Sequence, residues 1–177
     1  MFIRVKRVKN GYSQEYEYAY LIQGIWKKRK SNSKHIYHGI LGPVYKLSNQ
    51  LDYSFEDAFH TKFFDFIQTK TTKEIYTQLI VLELINCGFR HKNNVYYKDH
   101  IIVDLNRLIV HNQGKDVVLK TKNIGGYICS KTLEELYSFE QIRGRSEGLM
   151  LIKKIKQMGI KLEPNDFYEL ITKIMAN

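Results

Sequence analysis

The first fifty residues hold the side chains best suited to chemistry, and that chemistry is the binding of an anion. Ten lysines and arginines lie there beside only two carboxylates, Glu15 and Glu17, which gives the segment a net charge of +8. The other 127 residues hold eighteen lysines and arginines and sixteen carboxylates, a net charge of +2. A charge that served only solubility would be spread along the chain, so its concentration here indicates an anionic partner such as nucleic acid.

Aromatic residues accompany these cations. Lysine and arginine displace counterions from phosphates, and aromatic rings stack on unpaired bases. Alternation along residues 15–26 places four aromatic side chains on one side of a predicted strand. The predicted nucleic-acid-binding residues in this segment are Arg4, Lys6, Arg7, Lys9, Tyr16, Tyr18, Tyr20, Trp26, Lys27, Lys28, Arg29, Lys30 and Lys34. Within this set, the basic tetrad Lys27–Lys30 is the leading candidate.

Each half of this pattern also has a structural interpretation. Tyrosine favours strands and has an amphipathic ring, so the tyrosine stripe alone favours packing of the strand against the rest of the protein. A run of lysines is often a solvated loop. The concentration of charge, more than the tyrosine stripe, therefore favours nucleic acid.

A second basic group lies near the C-terminal end of the chain. Arg143-Gly144-Arg145 is followed by Lys153, Lys154 and Lys156 on a predicted helix. Two arginines flanking a glycine can hold phosphate as a fork, so Arg143 and Arg145 join the predicted binding residues. Lysines at helical spacing are also typical of a solvent-exposed face.

We predict no catalytic residue, metal or cofactor, because the phosphate-loop, dinucleotide-binding, nucleophile-elbow and zinc-helix motifs are all missing from the sequence. A metal-dependent nuclease is the enzymatic alternative. Asp104 and Asp116 each adjoin an apolar strand, and Lys120 follows the second. The carboxylate two residues before that lysine is replaced by Val118, which removes a metal ligand. His100 and His111 are read as outward residues of strands.

Compartment and redox state are also expectations from the sequence. Cys87 and Cys129 lack zinc-ligand spacing and each ends an apolar run, which predicts buried, reduced thiols, with a disulfide as the alternative. No apolar run reaches the roughly 20 residues that a bilayer crossing requires, and no signal-peptide core is present. We therefore expect a cytoplasmic protein with no membrane partner.

Hydrophobic periodicity places these residues on elements. Residues 1–47 are predicted to form a three-stranded antiparallel module, with strands over 2–9, 15–26 and 35–41 and a hairpin turn at Asn10-Gly11. The second predicted domain, 54–177, contains helices over 54–69 and 72–87, strands over 95–97, 100–105, 107–111, 116–122 and 126–129, and helices over 132–142, 146–158 and 165–175. Because strands and helices come in separate runs, the predicted class is α+β.

A loose resemblance supports a nucleic-acid context. The stretches FIRVKRVKNG (2–11), EYAYL (17–21), Trp26 and SKHIYHGILG (33–42) resemble the short basic β module of small archaeal proteins and of some insertion-sequence transposase N-termini. The third strand of such modules usually reads Arg-Gln-Lys and then Tyr-Leu-Gly. This chain keeps Leu41 and Gly42 but has His35 and Ile40 at the positions of the glutamine and the tyrosine. The resemblance implies no activity and does not extend to 54–177.

The sequence predicts a non-enzymatic protein that binds DNA or RNA. It could bind alone or as a subunit of a larger nucleoprotein assembly. The first alternative is a protein-interaction scaffold that docks a partner on the phenylalanine-rich helix 54–69 or on the tyrosine face. The second alternative is the nuclease.

Overall fold

The structure is a computed structural model that describes residues 1–9, 15–27, 32–48, 51–121 and 125–176, excluding the side chains of Lys27, Asn32, Ser33 and Ala176. It has the α+β class that the sequence predicts. The strands in the described ranges are β1 Phe2–Lys9, β2 Glu15–Lys27, β3 Asn32–Lys46, β4 Arg90–Lys92, β5 Val95–Lys98, β6 Ile101–Asp104, β7 Ile109–Asn112, β8 Lys115–Asp116, β9 Val118–Lys120 and β10 Tyr127–Ile128. The helices are α1 Phe55–Phe59, α2 Phe63–Thr69, α3 Thr72–Asn86, α4 Ser130–Tyr137, α5 Arg145–Gln157 and α6 Pro164–Ala176.

The predicted three-stranded module is part of a larger sheet, which corrects the expected topology. β1, β2 and β3 pair antiparallel, and β3 then pairs parallel with β9, so that the described strands form a first sheet in the order β1-β2-β3-β9-β10. The third strand does not end at residue 41 as predicted but continues through Gly42 and Pro43 to Lys46. Gly42 permits this continuation: its φ is +120°, and a Cβ there would lie 2.1 Å from the carbonyl oxygen of Asp116. A side chain at position 42 would therefore push this neighbouring segment away.

The second sheet is an antiparallel meander in the order β4-β5-β6-β7-β8. Its first strand, β4, is missing from the sequence-based prediction, and the predicted strand over 116–122 is divided between β8 of this sheet and β9 of the first sheet. Asn93 and Asn94 connect β4 to β5 with φ of 52° and 61°, a conformation that asparagine tolerates in hairpin turns. The strands of this sheet are short, at two to four residues.

Helix α3 lies at the centre of the main core. Its buried residues include Ile75, Ile80, Val81 and Leu82, which lie on different sides around the helix. The predicted capping box at its start is confirmed: the Glu74 N–H donates to Thr71 Oγ1 over 3.3 Å, and the Thr71 N–H donates to Glu74 Oε2 over 2.9 Å. None of the described helices is both long enough and apolar enough to span a bilayer.

The predicted helix over 54–69 is divided into α1 and α2. His60 ends α1 in the left-handed region, with φ of 53°, and its N–H donates to the carbonyl of Glu56. The bend brings phenylalanines from both helices together, since the Phe55 ring centre lies 5.1 Å from that of Phe63. Phe55 and Phe63 are both buried, so the break places a ring from each short helix in the core.

Candidate nucleic-acid interface

The first sheet has two faces of opposite character. On one face, Ile3, Val5 and Ala19 pack with residues of β3, β9 and β10 in a small apolar cluster. The other, which we call the aromatic face, carries mostly rings and cations. Cross-strand register assigns to it Phe2, Arg4, Lys6 and Val8 of β1, Tyr16, Tyr18, Tyr20, Ile22 and Trp26 of β2, and His35, Tyr37 and Ile40 of β3.

The rings of the aromatic face are accessible to solvent. Trp26 is 64% exposed and Tyr37 49% exposed, and Phe2 and Tyr16 also exceed one third. Tyr18 and Tyr20 are half-buried. The tyrosine stripe is thus not covered by the described remainder of the protein, in contrast to the packing interpretation of the stripe.

Two cations lie among these rings. Lys6 Nζ lies 4.5 Å from the ring centre of Tyr37 and 5.3 Å from that of Tyr20. Arg4 Nη1 lies 3.2 Å from His35 Nδ1. Among the described residues, no carboxylate lies within ion-pair distance of Arg4 or Lys6, whereas other cations of the sheet do have such partners. Their charges are therefore available to an external anion.

Arg7 and Lys9 differ from Arg4 and Lys6 because they pair with carboxylates across the β1–β2 ladder. Arg7 Nε lies 3.6 Å from Glu17 Oε1, and Lys9 Nζ lies 3.5 Å from Glu15 Oε1. Lys46 also contacts Glu17 over 3.0 Å, and this hydrogen bond is the main cause that lowers the pKa of the Glu17 carboxyl. Part of the positive charge that the sequence locates in this segment is therefore compensated within the sheet.

The loop that holds the leading sequence candidates is only partly described. Lys28, Arg29 and Lys30 lie outside the described residues, and Lys27 is described only as the backbone end of β2. Lys34 is exposed on β3 and pairs in register with Ile25. By alternation along β2, Ile25 and Lys34 lie on the side opposite the aromatic face.

The second basic group is divided among several environments. Arg143 and Arg145 are exposed at the start of α5, where the Arg143 N–H donates to Glu147 Oε2 over 2.6 Å. Lys154 is held in an ion pair with Glu135. On the same helix, Lys153 and Lys156 line a cleft of about 320 Å³ together with Met1 and with Phe2 and Ile3 of β1. The tertiary structure therefore brings lysines of α5 beside the Phe2 end of β1.

The sequence-based prediction missed the contribution of β3 to the aromatic face. His35 and Tyr37 lie there, with the His35 ring 5.8 Å from that of Phe2 and the Tyr37 ring 5.5 Å from that of Tyr20. Two register shifts between β2 and β3 insert extra residues on β3. Because each bulge reverses the alternation of side chains, simple period-two reading of residues 35–41 does not reveal which of them share a face.

The residues considered for catalysis are not gathered into one site. Asp104 Oδ1 accepts hydrogen bonds from the backbone N–H groups of Asn106 and Arg107, at 3.0 and 3.1 Å, and so closes the turn after β6. His111 pairs in register with Asp116 in the second sheet, while Lys120 belongs to the first. Within the described part of the chain, no three His, Cys, Asp or Glu side chains are grouped to hold a metal ion.

Cys87 and Cys129 are both buried and are not joined by a disulfide, as the sequence predicts. Burial raises the pKa of the Cys87 thiol to about 11, with a smaller contribution from Glu83. A thiol with such a pKa stays protonated near neutral pH and is a poor nucleophile.

Comparisons with protein-family models, with curated proteins and with solved structures give no match to this chain.

Proposed function

We propose that this protein binds single-stranded nucleic acid, DNA or RNA, on the aromatic face of its first sheet. The observation that carries the proposal is the placement of Arg4 and Lys6, which have no described carboxylate partner, among exposed rings on one side of a sheet. The cations contact phosphates, and the rings stack on bases. A single strand is favoured over a duplex because its bases are free to stack on protein rings.

Several features extend this surface. Trp26 and Tyr37 are the most exposed of the phenylalanine, tyrosine and tryptophan rings on the aromatic face, and they are the proposed stacking platforms. The basic tetrad Lys27–Lys30 follows Trp26 directly in the sequence, and it supplies further phosphate contacts. The protein needs no catalytic group for this activity, and it acts as a binding component, alone or within a nucleoprotein assembly.

The test is the binding of a short fluorescent single strand, followed by anisotropy at several salt concentrations. The double variant Arg4→Ala/Lys6→Ala should weaken binding and reduce the slope of log K against log[salt] by about 1.4, because each lost phosphate contact on a single strand removes about 0.7. Lys92→Ala/Lys115→Ala is the matched control, since both lysines are exposed on the second sheet. An unchanged slope in the Arg4/Lys6 variant would remove the aromatic face from the proposal.

A protein partner is the second candidate, and one observation favours it. Ile40 is 69% exposed in the middle of the aromatic face, and Val8 is also exposed. Apolar side chains of this kind contribute to protein interfaces more than to phosphate contacts. Purification with and without nuclease distinguishes the two: an acidic protein that stays bound after nuclease treatment would favour the second candidate.

A further inference from the structure

A cavity of about 210 Å³ lies between the end of α3, the segment before α1 and the segment that leads into α6. Four carboxyl residues line it, Asp52, Glu83, Glu163 and Asp166, beside a single lysine, Lys161. In a protein with a net charge of +10, this is a local reversal of sign.

Glu83 is the unusual member of this group. It is 4% exposed, and its Oε1 accepts a hydrogen bond from the backbone N–H of Lys161 over 3.3 Å, while its Oε2 has no partner among the described residues. Protonation would remove the charge but leave an O–H donor without an acceptor. Buried polar groups are nearly always paired, but within the described part of the chain Glu83 Oε2 lacks a hydrogen-bond partner whether the carboxyl is charged or protonated.

The walls of the cavity are held in place by the fold. The Asn86 side chain accepts from the Tyr53 N–H over 2.9 Å and donates to the Tyr53 carbonyl over 3.1 Å. These bonds tie the segment before α1 to the end of α3. The Lys161 bond to Glu83 ties the segment before α6 to the same helix.

Apolar side chains complete the lining. Phe55, Leu82 and Leu162 lie beside the carboxyl groups. An apolar cavity of about 150 Å³ can hold a molecule as large as benzene, so this cavity has room for about six to eight non-hydrogen atoms. Carboxylates next to apolar walls suit a ligand with a cationic end and a short hydrocarbon body.

We propose that this cavity is a binding site for a small alkylammonium or alkyldiamine cation, recognised chiefly by Glu83. The ammonium group replaces the missing partner of a buried carboxyl, and Asp52, Glu163 and Asp166 add attraction for positive charge. The hydrocarbon part lies against the apolar walls. The site is independent of the aromatic face and does not require nucleic acid.

Proton linkage supports this assignment. Burial raises the pKa of Glu83, and burial and the neighbouring Glu163 raise that of Asp166. A bound cation favours the charged carboxylates, so binding should release protons and weaken as the pH is lowered. Lys161 and Asp52, which also face the cavity, act on Glu83 in opposite directions.

The experiment is isothermal titration of the full chain with putrescine and, separately, with butylammonium at constant ionic strength. The wild type should show saturable binding to one site, and Glu83→Gln should bind about tenfold more weakly or worse, as expected for loss of a charged hydrogen-bond partner. Glu140→Gln is the matched control, because Glu140 is exposed and does not line this cavity. It should bind as the wild type does.

Three results would overturn the proposal. They are no saturable binding of either amine, equal binding by Glu83→Gln, or Glu83-dependent binding of Mg²⁺ in preference to both amines. If circular dichroism shows that Glu83→Gln does not fold, Asp166→Asn replaces it, with a smaller but measurable expected loss of amine binding. Unchanged binding in that variant would likewise refute the site.

Discussion

The aromatic face and the cavity lined by Asp52, Glu83, Glu163 and Asp166, which we call the acidic cavity, differ in how far their charged groups are exposed to solvent. Lys6 lies on an exposed sheet face, keeps its hydration and has rings as its described neighbours. Glu83 lies almost wholly out of solvent, and burial raises the pKa of its carboxyl. An exposed charge retains its favourable hydration and is ready to pair with a mobile anion, while a buried charge requires a fixed partner. The two regions therefore suit different ligands: a long flexible polyanion, and a small cation that fits a cavity.

The largest effect should come from reversing the charge of the aromatic face. Arg4→Glu/Lys6→Glu should reduce the affinity for a single strand on the order of 100-fold at low salt, because two attractive phosphate contacts become repulsive. Amine binding in the acidic cavity should be unchanged. Anisotropy and calorimetry on the same preparation measure both, and a parallel loss of both activities would show that the two regions are not independent.

Removing a ring should have the next largest effect. Tyr37→Ala should weaken binding of a single strand by about 5- to 150-fold, in line with about 1–3 kcal/mol per stacked base. It should change duplex binding much less. Tyr168→Ala serves as the control, since Tyr168 is exposed on α6. Equal losses for single and double strands in Tyr37→Ala would contradict stacking.

Within the first sheet, the loss of affinity on replacing a lysine or arginine should depend on where that side chain lies and on whether it has a carboxylate partner. Arg7→Ala should lower the affinity by less than about threefold, because Arg7 lies on the side of β1 opposite the aromatic face and contacts Glu17 there. Lys6→Ala should lower it more. If Arg7→Ala proves the more damaging of the two in the same anisotropy assay, the assignment of the binding surface to the aromatic face is wrong.

The smallest effect is a pH dependence of stability that has opposite sign for Glu17 of the first sheet and Glu83 of the acidic cavity. The folded-state pKa of Glu17 is lowered, so its contribution to stability is present above its unfolded pKa and is lost as the pH falls through the folded value. The folded-state pKa of Glu83 is raised, so its contribution is largest below the unfolded pKa and is lost as the pH rises through the folded value. Unfolding in urea at several pH values, from acidic to neutral, measures the free energy of unfolding. In Glu83→Gln this free energy should fall less than in the wild type as the pH rises. In Glu17→Gln it should fall less than in the wild type as the pH is lowered. The reverse assignment of these two pH dependences would contradict the environments described for Glu17 and Glu83.

Local patterns predicted many elements correctly. The capping box at Thr71, the first two strands and the approximate bounds of α3, α5 and α6 depend on residues close in sequence. Interactions of this range, such as a side chain that accepts from a backbone N–H three residues later, can be read from residue types and spacing. For the same reason the alternation along β2 correctly grouped Tyr16, Tyr18 and Tyr20 on one side.

Features that depend on distant residues were missed. The parallel pairing of β3 with β9 joins segments about 70 residues apart, and it depends on the close approach allowed by Gly42. The break at His60 is set by the packing of Phe55 on Phe63. The acidic cavity gathers residues from three separate segments, and no local spacing relates Asp52, Glu83 and Asp166.

The sequence alone determined the α+β class, the concentration of positive charge in the first fifty residues and the alternation that aligns rings along β2, because these follow from composition and short-range periodicity. Only the tertiary structure decided which cations have carboxylate partners, that the rings stay exposed, and that a carboxyl on the central helix lines a cavity. Those outcomes depend on which distant surfaces pack together, and hence on which groups lose their water.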